Sequence, residues 1–414
     1  MSSLQPVRGT YDLLPDAKRR HRKVEETALE LASRYGFAEI STPIFEFHEV
    51  FSRTLGDTSD VVTKEMYSFE DKGGEAITLR PENTAGVARA FISNGLAQQT
   101  PLKYSYSGPM FRYERPQKGR QRQFHQVGVE VLGVPGPQAD VEVIALAADF
   151  LSALGVREKT VCELNTLGDK ESRDAYRKAL VAYLTDHRGK LSEDSLKRLD
   201  RNPLRILDSK NEGDRAVVAG APKLTDSLND PSRKFFGEVL EGLEIAGVSY
   251  RINPRLVRGL DYYCHTAFEF TTDTLGAQGA LVAGGRYDGL IEQMGGPRTP
   301  GIGWAAGVER LSMMIDEPPL PPRPIAVIPV GAEQSSEAMA LTFRLRRAGF
   351  TVHMGYCGNM GKRMKRADKA RARAAVLLGA DELASQSASV RDMETGDQAT
   401  VPLASIEEHL ERYR

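Results

Sequence analysis

The segment from Phe111 to Gly133, FRYERPQKGRQRQFHQVGVEVLG, joins a cation-rich polar loop to a strand that carries polar side chains. Four arginines and one lysine fall within eleven residues of the loop: Arg112, Arg115, Lys118, Arg120 and Arg122. Guanidinium groups hold phosphate or carboxylate through paired hydrogen bonds, so this loop could bind an anion. A solvated basic loop is the alternative.

The strand after the loop has two distinct faces. Because side chains alternate along a strand, the valines of 127–131 share one face, which must be buried. Gln126 and Glu130 share the opposite face, on either side of Gly128. The glycine leaves room for a ligand that the amide and the carboxylate could hold. An amphipathic strand with its polar face in water is the alternative.

A second cluster is RGLDYY, in which Arg258 precedes Tyr262 and Tyr263. A guanidinium beside two phenols can hold an anion while the hydroxyls select neutral polar groups. Tyrosines that are packed in the core with only their hydroxyls in water are the alternative.

A third cluster is RPENTAG. Pro81 stands where a helix can begin after a strand, so we expect Glu82 and Thr84 in its first turn, where the helix dipole stabilises a carboxylate. Such a carboxylate could receive a ligand ammonium. A well-capped helix with no ligand is the alternative.

The string GIGWAAGVER matches a dinucleotide-binding glycine pattern only formally, because its first glycine follows a turn and not an apolar strand. We expect a strand that enters a helix at Gly307, with Arg310 in the first turn. An arginine there can stack on an adenine ring or pair with a phosphate.

Near the end of the chain, basic residues recur at helical spacing on one predicted face: Lys362, Arg366, Lys369 and Arg373. Three more basic residues and one aspartate lie between them, so this surface is strongly positive. It could contact a polyanion such as nucleic acid, or it could simply face solvent.

Composition and spacing exclude several classes of protein. The 414 residues carry 55 basic and 56 acidic side chains, so attraction to a polyanion must be local. The three cysteines are too far apart for a disulfide framework or a CxxC site, and the seven histidines lack metal-ligand spacing. No phosphate loop, kinase signature, signal peptide or membrane span is recognisable, so we expect a cytoplasmic protein without a resident metal.

The predicted elements divide the chain into regions. Residues 1–320 predict a helix at Asp16–Tyr35, then the strand FAEISTPIFE and further strands around an antiparallel pair, interrupted at about 169–247 by a mainly helical insertion. The proline-rich run 317–324 predicts a stiff linker. Residues 325–414 predict a small α/β domain with a mostly parallel sheet.

Taken together and in this order, these strings resemble the class II aminoacyl-tRNA synthetases, and among them the bacterial-type histidyl-tRNA synthetases. The first motif of the class resembles the strand that ends at Pro43, the second FRYERPQKGRQRQFHQ, and the third GIGWAAGVERL. RGLDYY and GGRYDGL resemble two histidine-specific signatures. The resemblance implies an α+β core, with an antiparallel sheet flanked by helices, and a C-terminal anticodon-binding domain.

The resemblance also implies an activity and its catalytic residues. Histidine and ATP would form histidyl-adenylate, and histidine would then pass to tRNA(His). Arg112 would span the histidine carboxylate and the α-phosphate, and Arg258 would reach the same phosphate from the other side. Arg120 and Arg310 would bind ATP, whose phosphates carry Mg²⁺, and no organic cofactor is expected.

Recognition of the amino acid is implied in the same way. The ammonium would be received by three residues, Glu82, Thr84 and Gln126. Glu130 and Tyr263 would hydrogen-bond the imidazole nitrogens, and Tyr262 would line the pocket. Asn83 and Trp304 replace smaller residues that are common in the family, which affects the shape of the pocket.

The remaining implications concern partners. The first motif would form a homodimer interface, Gln117 would approach the acceptor end of the tRNA, and the helix with Lys362 and Arg366 would contact tRNA. A non-aminoacylating, synthetase-like regulatory subunit of ATP phosphoribosyltransferase is the main alternative, but it is expected to lack the C-terminal domain. A noncatalytic nucleic-acid-binding paralogue is a third hypothesis.

Overall fold

The structure is a computed structural model that describes residues 4–55, 61–207, 209–257, 262–276 and 279–414. The chain divides into two compact units, Met1–Pro318 and Pro319–Arg414. Each unit has its own sheet and its own hydrophobic core. Among the described residues, no helix has both the length and the apolar character needed to cross a bilayer.

The first unit is built from eleven strands and ten α-helices among its described residues. The strands are β1 (Ala38–Glu39), β2 (Phe45–Phe47), β3 (Tyr67–Glu70), β4 (Ala76–Leu79), β5 (Leu102–Phe111), β6 (Gln123–Leu132), β7 (Val161–Thr166), β8 (Arg251–Ile252), β9 (Cys264–Thr271), β10 (Ala280–Arg286) and β11 (Gly301–Gly307). The helices are α1 (Pro15–Arg34), α2 (His48–Leu55), α3 (Thr84–Ser93), α4 (Gln138–Ala153), α5 (Lys170–Asp186), α6 (Glu193–Arg201), α7 (Glu212–Ala219), α8 (Asp230–Ile245), α9 (Leu290–Gln293) and α10 (Val308–Ser312).

The central sheet has eight strands in the order β1-β5-β6-β11-β10-β9-β7-β8. Its pairs are antiparallel except at the two ends, where β1 joins β5 and β8 joins β7 in parallel. β5 and β6 pair over ten residues, from Leu102 opposite Leu132 to Phe111 opposite Gln123. The predicted antiparallel sheet flanked by helices is therefore confirmed.

Hydrophobic burial fixes which face of the sheet each element covers. The valines of 127–131 are at most 2% exposed and pack with residues of α1 and α4, as the alternation predicted. In α1, Val24, Ala28 and Leu31 lie on the buried stripe that the helical spacing indicated. The opposite face of β6 is thereby left for polar side chains.

One predicted strand proved to be two. FAEISTPIFE forms β1 and β2 in different sheets, because β2 pairs with β4 in a separate three-stranded sheet of order β2-β4-β3. Pro43 lies between them, where its missing N–H and fixed φ end the pairing. β7 and the two-residue edge strand β8 were not predicted.

The segment 169–247 contains the four helices α5 to α8. Each helix begins with a residue whose side chain accepts a hydrogen bond from a backbone N–H three positions on: Asp169, Ser192, Asn211 and Asn229. Such caps specify locally where a helix starts.

The second unit has a five-stranded sheet and four helices. Its strands are β12 (Ile325–Pro329), β13 (Val352–Met354), β14 (Ala374–Leu378), β15 (Ser387–Asp392) and β16 (Gln398–Pro402), in the order β13-β12-β14-β15-β16. Its helices are α11 (Ser335–Arg347), α12 (Met360–Lys369), α13 (Ala380–Ala384) and α14 (Ile406–Leu410). The first three strands are parallel, and β15 and β16 add an antiparallel hairpin that was not predicted.

The basic helix is shorter than its charge pattern suggested. α12 ends at Lys369, and Arg371 follows with a left-handed φ of 55°. Arg373 therefore lies directly before β14, where its N–H donates to the Pro324 carbonyl and its Nη1 donates to the Arg414 carbonyl at 2.7 Å. Lys362, Arg366 and Lys369 remain on the helix.

Candidate active site

One cavity in the first unit brings together residues that the sequence had marked in separate segments. Its wall includes five polar side chains and three arginines: Glu82, Thr84, Gln126, Tyr262, Tyr263, Arg112, Arg120 and Arg310. They come from the start of α3, from β6 and its loop, from the residues before β9, and from α10. Arg258 lies outside the described residues.

Arg112 is anchored at one point of its guanidinium. Its Nε donates to the Pro81 carbonyl at 2.9 Å, and the group lies over the Phe124 ring with 5.3 Å between Cζ and the ring centroid. Nη1 is 4.0 Å from Glu114 Oε1, at the limit of an ion pair. The anchor orients the group and leaves its terminal nitrogens for an anion.

Arg310 lies close enough to Arg112 and Arg120 to be repelled by both. Arg120 pairs with Glu114 Oε2 at 2.7 Å, and Arg310 donates from Nη1 to the Ala280 carbonyl at 2.6 Å. Burial, followed by the charges of Arg120 and Arg112, lowers the pKa of Arg310. Mutual repulsion of this kind is relieved by a bound polyanion, so this part of the cavity is suited to phosphates.

Glu82 occupies a different position from the one expected. α3 begins at Thr84 and not at Pro81, so Glu82 precedes the helix, and its carboxylate accepts hydrogen bonds from the N–H groups of Thr84 (2.7 Å) and Ala85 (2.9 Å). Burial nevertheless raises the pKa of this carboxyl. A ligand ammonium would restore the balance by stabilising the charged form.

Gln126 points an unused polar atom into the site. Its Oε1 is buried without a hydrogen-bond partner among the described residues. Buried polar atoms are nearly always paired, so an unpaired acceptor on a cavity wall indicates a donor that arrives with a ligand.

Glu130 is the most deeply buried acid at the site and lies behind the cavity wall, with 1% exposure. Thr84 Oγ1 donates to its Oε1 at 2.7 Å, Tyr106 donates to the same oxygen at 3.3 Å, and the Tyr287 hydroxyl donates to Oε2. Burial raises the pKa of Glu130 to about 8, even though the hydroxyl donors favour the ionised form. The carboxyl thus keeps its proton to a higher pH than an ordinary glutamic acid does.

The space beside Gly128 is not open for a ligand, which corrects the expectation from the strand pattern. A Cβ at Gly128 would lie 2.4 Å from Cζ of Tyr106, whose ring fills that space. The glycine that matters for the acid is Gly303, opposite Glu130 on β11, where a Cβ would lie 1.9 Å from Glu130 Oε2. Gly303 therefore makes the room in which Glu130 sits.

The two tyrosines before β9 form a buried pair. Tyr262 and Tyr263 are 4% and 7% exposed, with their hydroxyl oxygens 3.5 Å apart. The carbonyl of Tyr263 accepts a hydrogen bond from Arg173 of α5 at 2.6 Å. Their polar ends reach the cavity while their rings belong to the core.

Asn83 and Trp304, the two residues that differ from the family pattern, form hydrogen bonds with other parts of the protein. The Trp304 indole stacks on Phe150 of α4 and donates to the Val143 carbonyl at 3.0 Å. Asn83 accepts from Thr42 Oγ1 at 2.6 Å and from Arg80 Nη1 at 3.2 Å. Trp304 nevertheless lines the cavity, with its N–H directed away from it, whereas Asn83 is not among the lining residues.

One cluster beside the cavity was missed from the sequence. His21 of α1, His125 of β6 and Glu309 of α10 offer ligand atoms within 4.8 Å of one another. Glu309 accepts hydrogen bonds from the His125 N–H at 3.0 Å and from its Nδ1 at 2.9 Å. These residues come from three distant segments, so no local spacing could have shown the cluster, although Glu309 stands next to the predicted Arg310.

The residues predicted to contact tRNA are exposed. Gln117 lies in the loop before β6, where it exchanges two backbone hydrogen bonds with Arg120, at 3.0 and 2.9 Å. Lys362 and Arg366 are exposed on α12, and Arg366 Nη1 donates to the Cys357 carbonyl at 2.6 Å.

Comparison with known proteins decides the family. Residues 9–311 match the family model described as histidyl-tRNA synthetase, and residues 324–413 match an anticodon binding domain. The chain is 64% identical over 414 residues to the histidine–tRNA ligase of Rhodospirillum rubrum, covering 100% of both sequences. The chain belongs to the histidyl-tRNA synthetase family.

Two further relatives agree with this membership. The histidine–tRNA ligase of Gluconacetobacter diazotrophicus is 56% identical over 410 residues, which cover 99% of each chain. The crystal structure of apo S. aureus histidyl-tRNA synthetase aligns with a TM-score of 0.82 at 34% identity, covering 98% of this chain and 99% of that one. The synthetase fold thus includes both units.

Proposed function

We propose that this chain is a histidine–tRNA ligase, which activates L-histidine with ATP and transfers it to tRNA(His). One observation carries the proposal: a single cavity joins three arginines to a polar pocket that ends at a buried carboxyl. Triphosphate and amino acid could therefore meet in one place. The relatives named histidine–tRNA ligase over the full chain support the same activity.

The first reaction brings two anions together, since the histidine carboxylate attacks the α-phosphate. Catalysis requires fixed cations where negative charge concentrates in the transition state. Arg112, oriented by its bond to Pro81, bridges carboxylate and α-phosphate, and the resemblance to the family assigns Arg258, which lies outside the described residues, to the same phosphate. Arg120 and Arg310 hold ATP, which enters as its Mg²⁺ complex, and Phe124 packs beneath Arg112.

The amino acid is selected at the other part of the cavity. Glu82, Thr84 and the unpaired oxygen of Gln126 receive the ammonium, while Glu130 and Tyr263 bond the imidazole, beside Tyr262. An amino acid without ring nitrogens would offer no partner to the polar groups at this end, the Tyr263 hydroxyl on the cavity wall and the Glu130 carboxyl behind it, beyond the three hydroxyl donors that Glu130 already has. Such mispairing of a buried polar group costs about 1–3 kcal/mol or more, which discriminates without editing.

The second reaction requires tRNA and the second unit. The match of residues 324–413 to an anticodon binding domain supports contact with tRNA(His) there. α12 provides Lys362 and Arg366, and Gln117 lies in the loop that would approach the acceptor end. The second unit also favours a synthetase over the regulatory-subunit alternative, which was expected to lack it. We place the reaction in the cytoplasm.

A homodimer is the assembly that we propose, through the three-stranded sheet. Cross-strand pairing puts Phe45, Phe47 and Phe69 on one face of this sheet, and they are 59%, 56% and 51% exposed. The other face carries Glu46, paired with Arg89. An exposed aromatic face over a polar inner face indicates a partner surface, and a second copy of the chain supplies it.

The activity is tested by histidine-dependent exchange of pyrophosphate into ATP. The wild-type chain should catalyse exchange, and Arg258→Ala should abolish it. A wild-type protein that is inert in exchange and in charging would exclude a ligase and leave the regulatory subunit or the noncatalytic paralogue.

The tRNA surface is tested by reversing charge on α12. The variant Lys362→Glu with Arg366→Glu should charge tRNA more slowly while exchange is unchanged. Arg347→Glu is the control, because Arg347 is exposed on α11, which packs on the other face of the five-stranded sheet. Equal charging by both variants would remove α12 from the contact surface.

The dimer is tested by analytical ultracentrifugation. Phe47→Glu should shift the protein toward monomer, whereas Met339→Glu, at an exposed position on α11 of the second unit, should not. A dimer that survives Phe47→Glu at micromolar concentration would place the interface elsewhere.

A further inference from the structure

The cluster of His21, His125 and Glu309 has no part in the roles assigned above. Its atoms are of types that bind transition metals, but the Glu309 carboxylate is already engaged by His125. The hydrogen bonds of this carboxylate therefore join α10, which carries Glu309, to β6, which carries His125.

Glu309 completes a strand pairing that the fold leaves unfinished. β11 pairs with β6 as far as Gly307 opposite Gln126, and there the chain turns into α10. β6 continues outward past this point, still paired with β5 on its other side. The His125 N–H would lack an acceptor, and both oxygens of Glu309 lie 3.0 Å from it.

The same carboxylate also fixes the His125 ring. Nδ1 lies 2.9 Å from Glu309 Oε1, and because a carboxylate only accepts, Nδ1 carries the proton. The His21 ring packs edge-to-face against the His125 ring, with centroids 5.6 Å apart. Glu309 is 7% exposed, so these hydrogen bonds are little weakened by water.

Glu309 itself reaches the edge of the cavity, and the residues on either side of the two partners line it as well. Phe124 and Gln126 flank His125 on β6 and, by alternation, point to the opposite face, into the site. Arg310 follows Glu309 on α10 and also lines the site. One carboxylate thus ties the strand under Arg112 to the helix that carries Arg310.

The geometry points to Glu309 as a positioning residue for ATP, which acts through His125 by holding α10 and its Arg310 in register with β6. This inference rests on the proposed function, because it assigns Glu309 a part in binding the substrate ATP. It concerns the ATP side of the cavity only. Glu82, Thr84 and Glu130 are held by other contacts, and Gln126 is held in the sheet opposite Gly307 and Gly108, so recognition of histidine should depend much less on Glu309 than ATP binding does.

The test measures steady-state pyrophosphate exchange by Glu309→Gln, which keeps the size of the side chain but presents an NH₂ group to one His125 donor. We expect KM for ATP to rise about 10–100-fold, the range for a misplacement near 1 Å, with KM for histidine within twofold of wild type. Glu317→Gln is the matched control, because Glu317 contacts Arg19 and Arg20 instead. It should behave as wild type.

A second pair of variants separates positioning from simple packing. His125→Ala should raise KM for ATP less than Glu309→Gln does, since the backbone N–H bond remains. His125→Asn should restore much of the loss, because its amide N–H can replace Nδ1–H. Unchanged KM for ATP in Glu309→Gln, or equal increases in KM for ATP and histidine, would overturn the inference.

The outcome is distinguishable from failure of the proposed function. If the wild-type chain shows no exchange, that proposal fails, and the inference is then judged by calorimetric titration with ATP. Weaker ATP binding by Glu309→Gln than by Glu317→Gln would support it, and equal dissociation constants would overturn it.

Discussion

The two ends of the cavity are built on different physical principles. At the phosphate end, three arginines line one cavity, and the charges of Arg120 and Arg112 lower the pKa of Arg310 in addition to the effect of its burial. At the imidazole end, Glu130 is enclosed by three hydroxyl donors and is 1% exposed. The phosphate end carries a repulsion between cations that a bound polyanion would relieve, whereas the hydrogen bonds of the imidazole end are already formed before histidine binds.

This difference predicts that mutations at the two ends change different kinetic constants. Cations that await a ligand act on the charge that develops during reaction, so their loss should lower kcat. A preformed, buried hydrogen-bonding group selects the substrate, so its loss should raise KM for histidine. Mutations at the two ends should therefore separate in steady-state kinetics.

Arg112→Ala should have the largest effect. Removing one preorganised donor from a site of developing charge costs about 10²–10³-fold in kcat. Pyrophosphate exchange at saturating histidine and ATP measures this directly. A full recovery of kcat at high ATP would instead show that Arg112 only binds nucleotide, and the division between the ends would fail.

Glu130→Gln should have the next largest effect, which should be on KM for histidine and not on kcat. The amide keeps the volume but cannot accept on both sides, so we expect KM for histidine to rise about 10–100-fold, in line with about 1–3 kcal/mol for a mispaired buried group. KM for ATP should stay within twofold. Equal changes in both constants would mean that the carboxyl supports the whole cavity and does not select the ring.

Tyr287→Phe should produce a smaller effect with a defined pH signature. The Tyr287 hydroxyl favours the ionised form of Glu130 and so holds its pKa down against burial. Without it the pKa rises above about 8, and the acid limb of kcat/KM for histidine should move to higher pH. Exchange rates between pH 6.5 and 9.5 test this, and an unmoved limb would detach Tyr287 from the acid.

The smallest predicted effect is on stability. Folding raises the pKa of Glu130 from its usual 4.5 to about 8, so its contribution to stability is fully present below pH 4.5 and is lost as the pH rises through 8. Gln at this position has no proton to lose. The melting temperature of Glu130→Gln minus that of wild type should therefore increase between pH 5 and pH 8.5, by about 2–4 °C for each kcal/mol. A constant difference would show that the carboxyl keeps its ordinary pKa.

The difference between the two ends also explains which site residues could be predicted from the sequence. The arginines and Gln126 stand in local strings whose spacing already indicates anion binding or a polar strand face, so they were identified. The surroundings of Glu130 depend on cross-strand register, with Tyr106 opposite Gly128 and Gly303 opposite Glu130. Each large side chain has a glycine as its cross-strand neighbour, a complementarity that becomes visible only when the pairing is known.

Register also accounts for the other differences. The strand predicted across Pro43 divides between two sheets, and Glu309 reaches His125 because β11 ends one residue before β6 needs its last acceptor. Helices were located more closely, since caps and hydrophobic spacing are local signals. The start of α3 moved to Thr84 because the Glu82 side chain, rather than a further turn of helix, satisfies its first N–H groups.

Calorimetric titration of the wild-type protein with histidine, with and without a nonhydrolysable ATP analogue, shows whether one cavity holds both ATP and histidine. We expect one histidine site per chain, whose dissociation constant changes when the analogue is bound and rises in Glu130→Gln. Histidine binding that is unaffected both by the nucleotide and by Glu130→Gln would contradict this expectation.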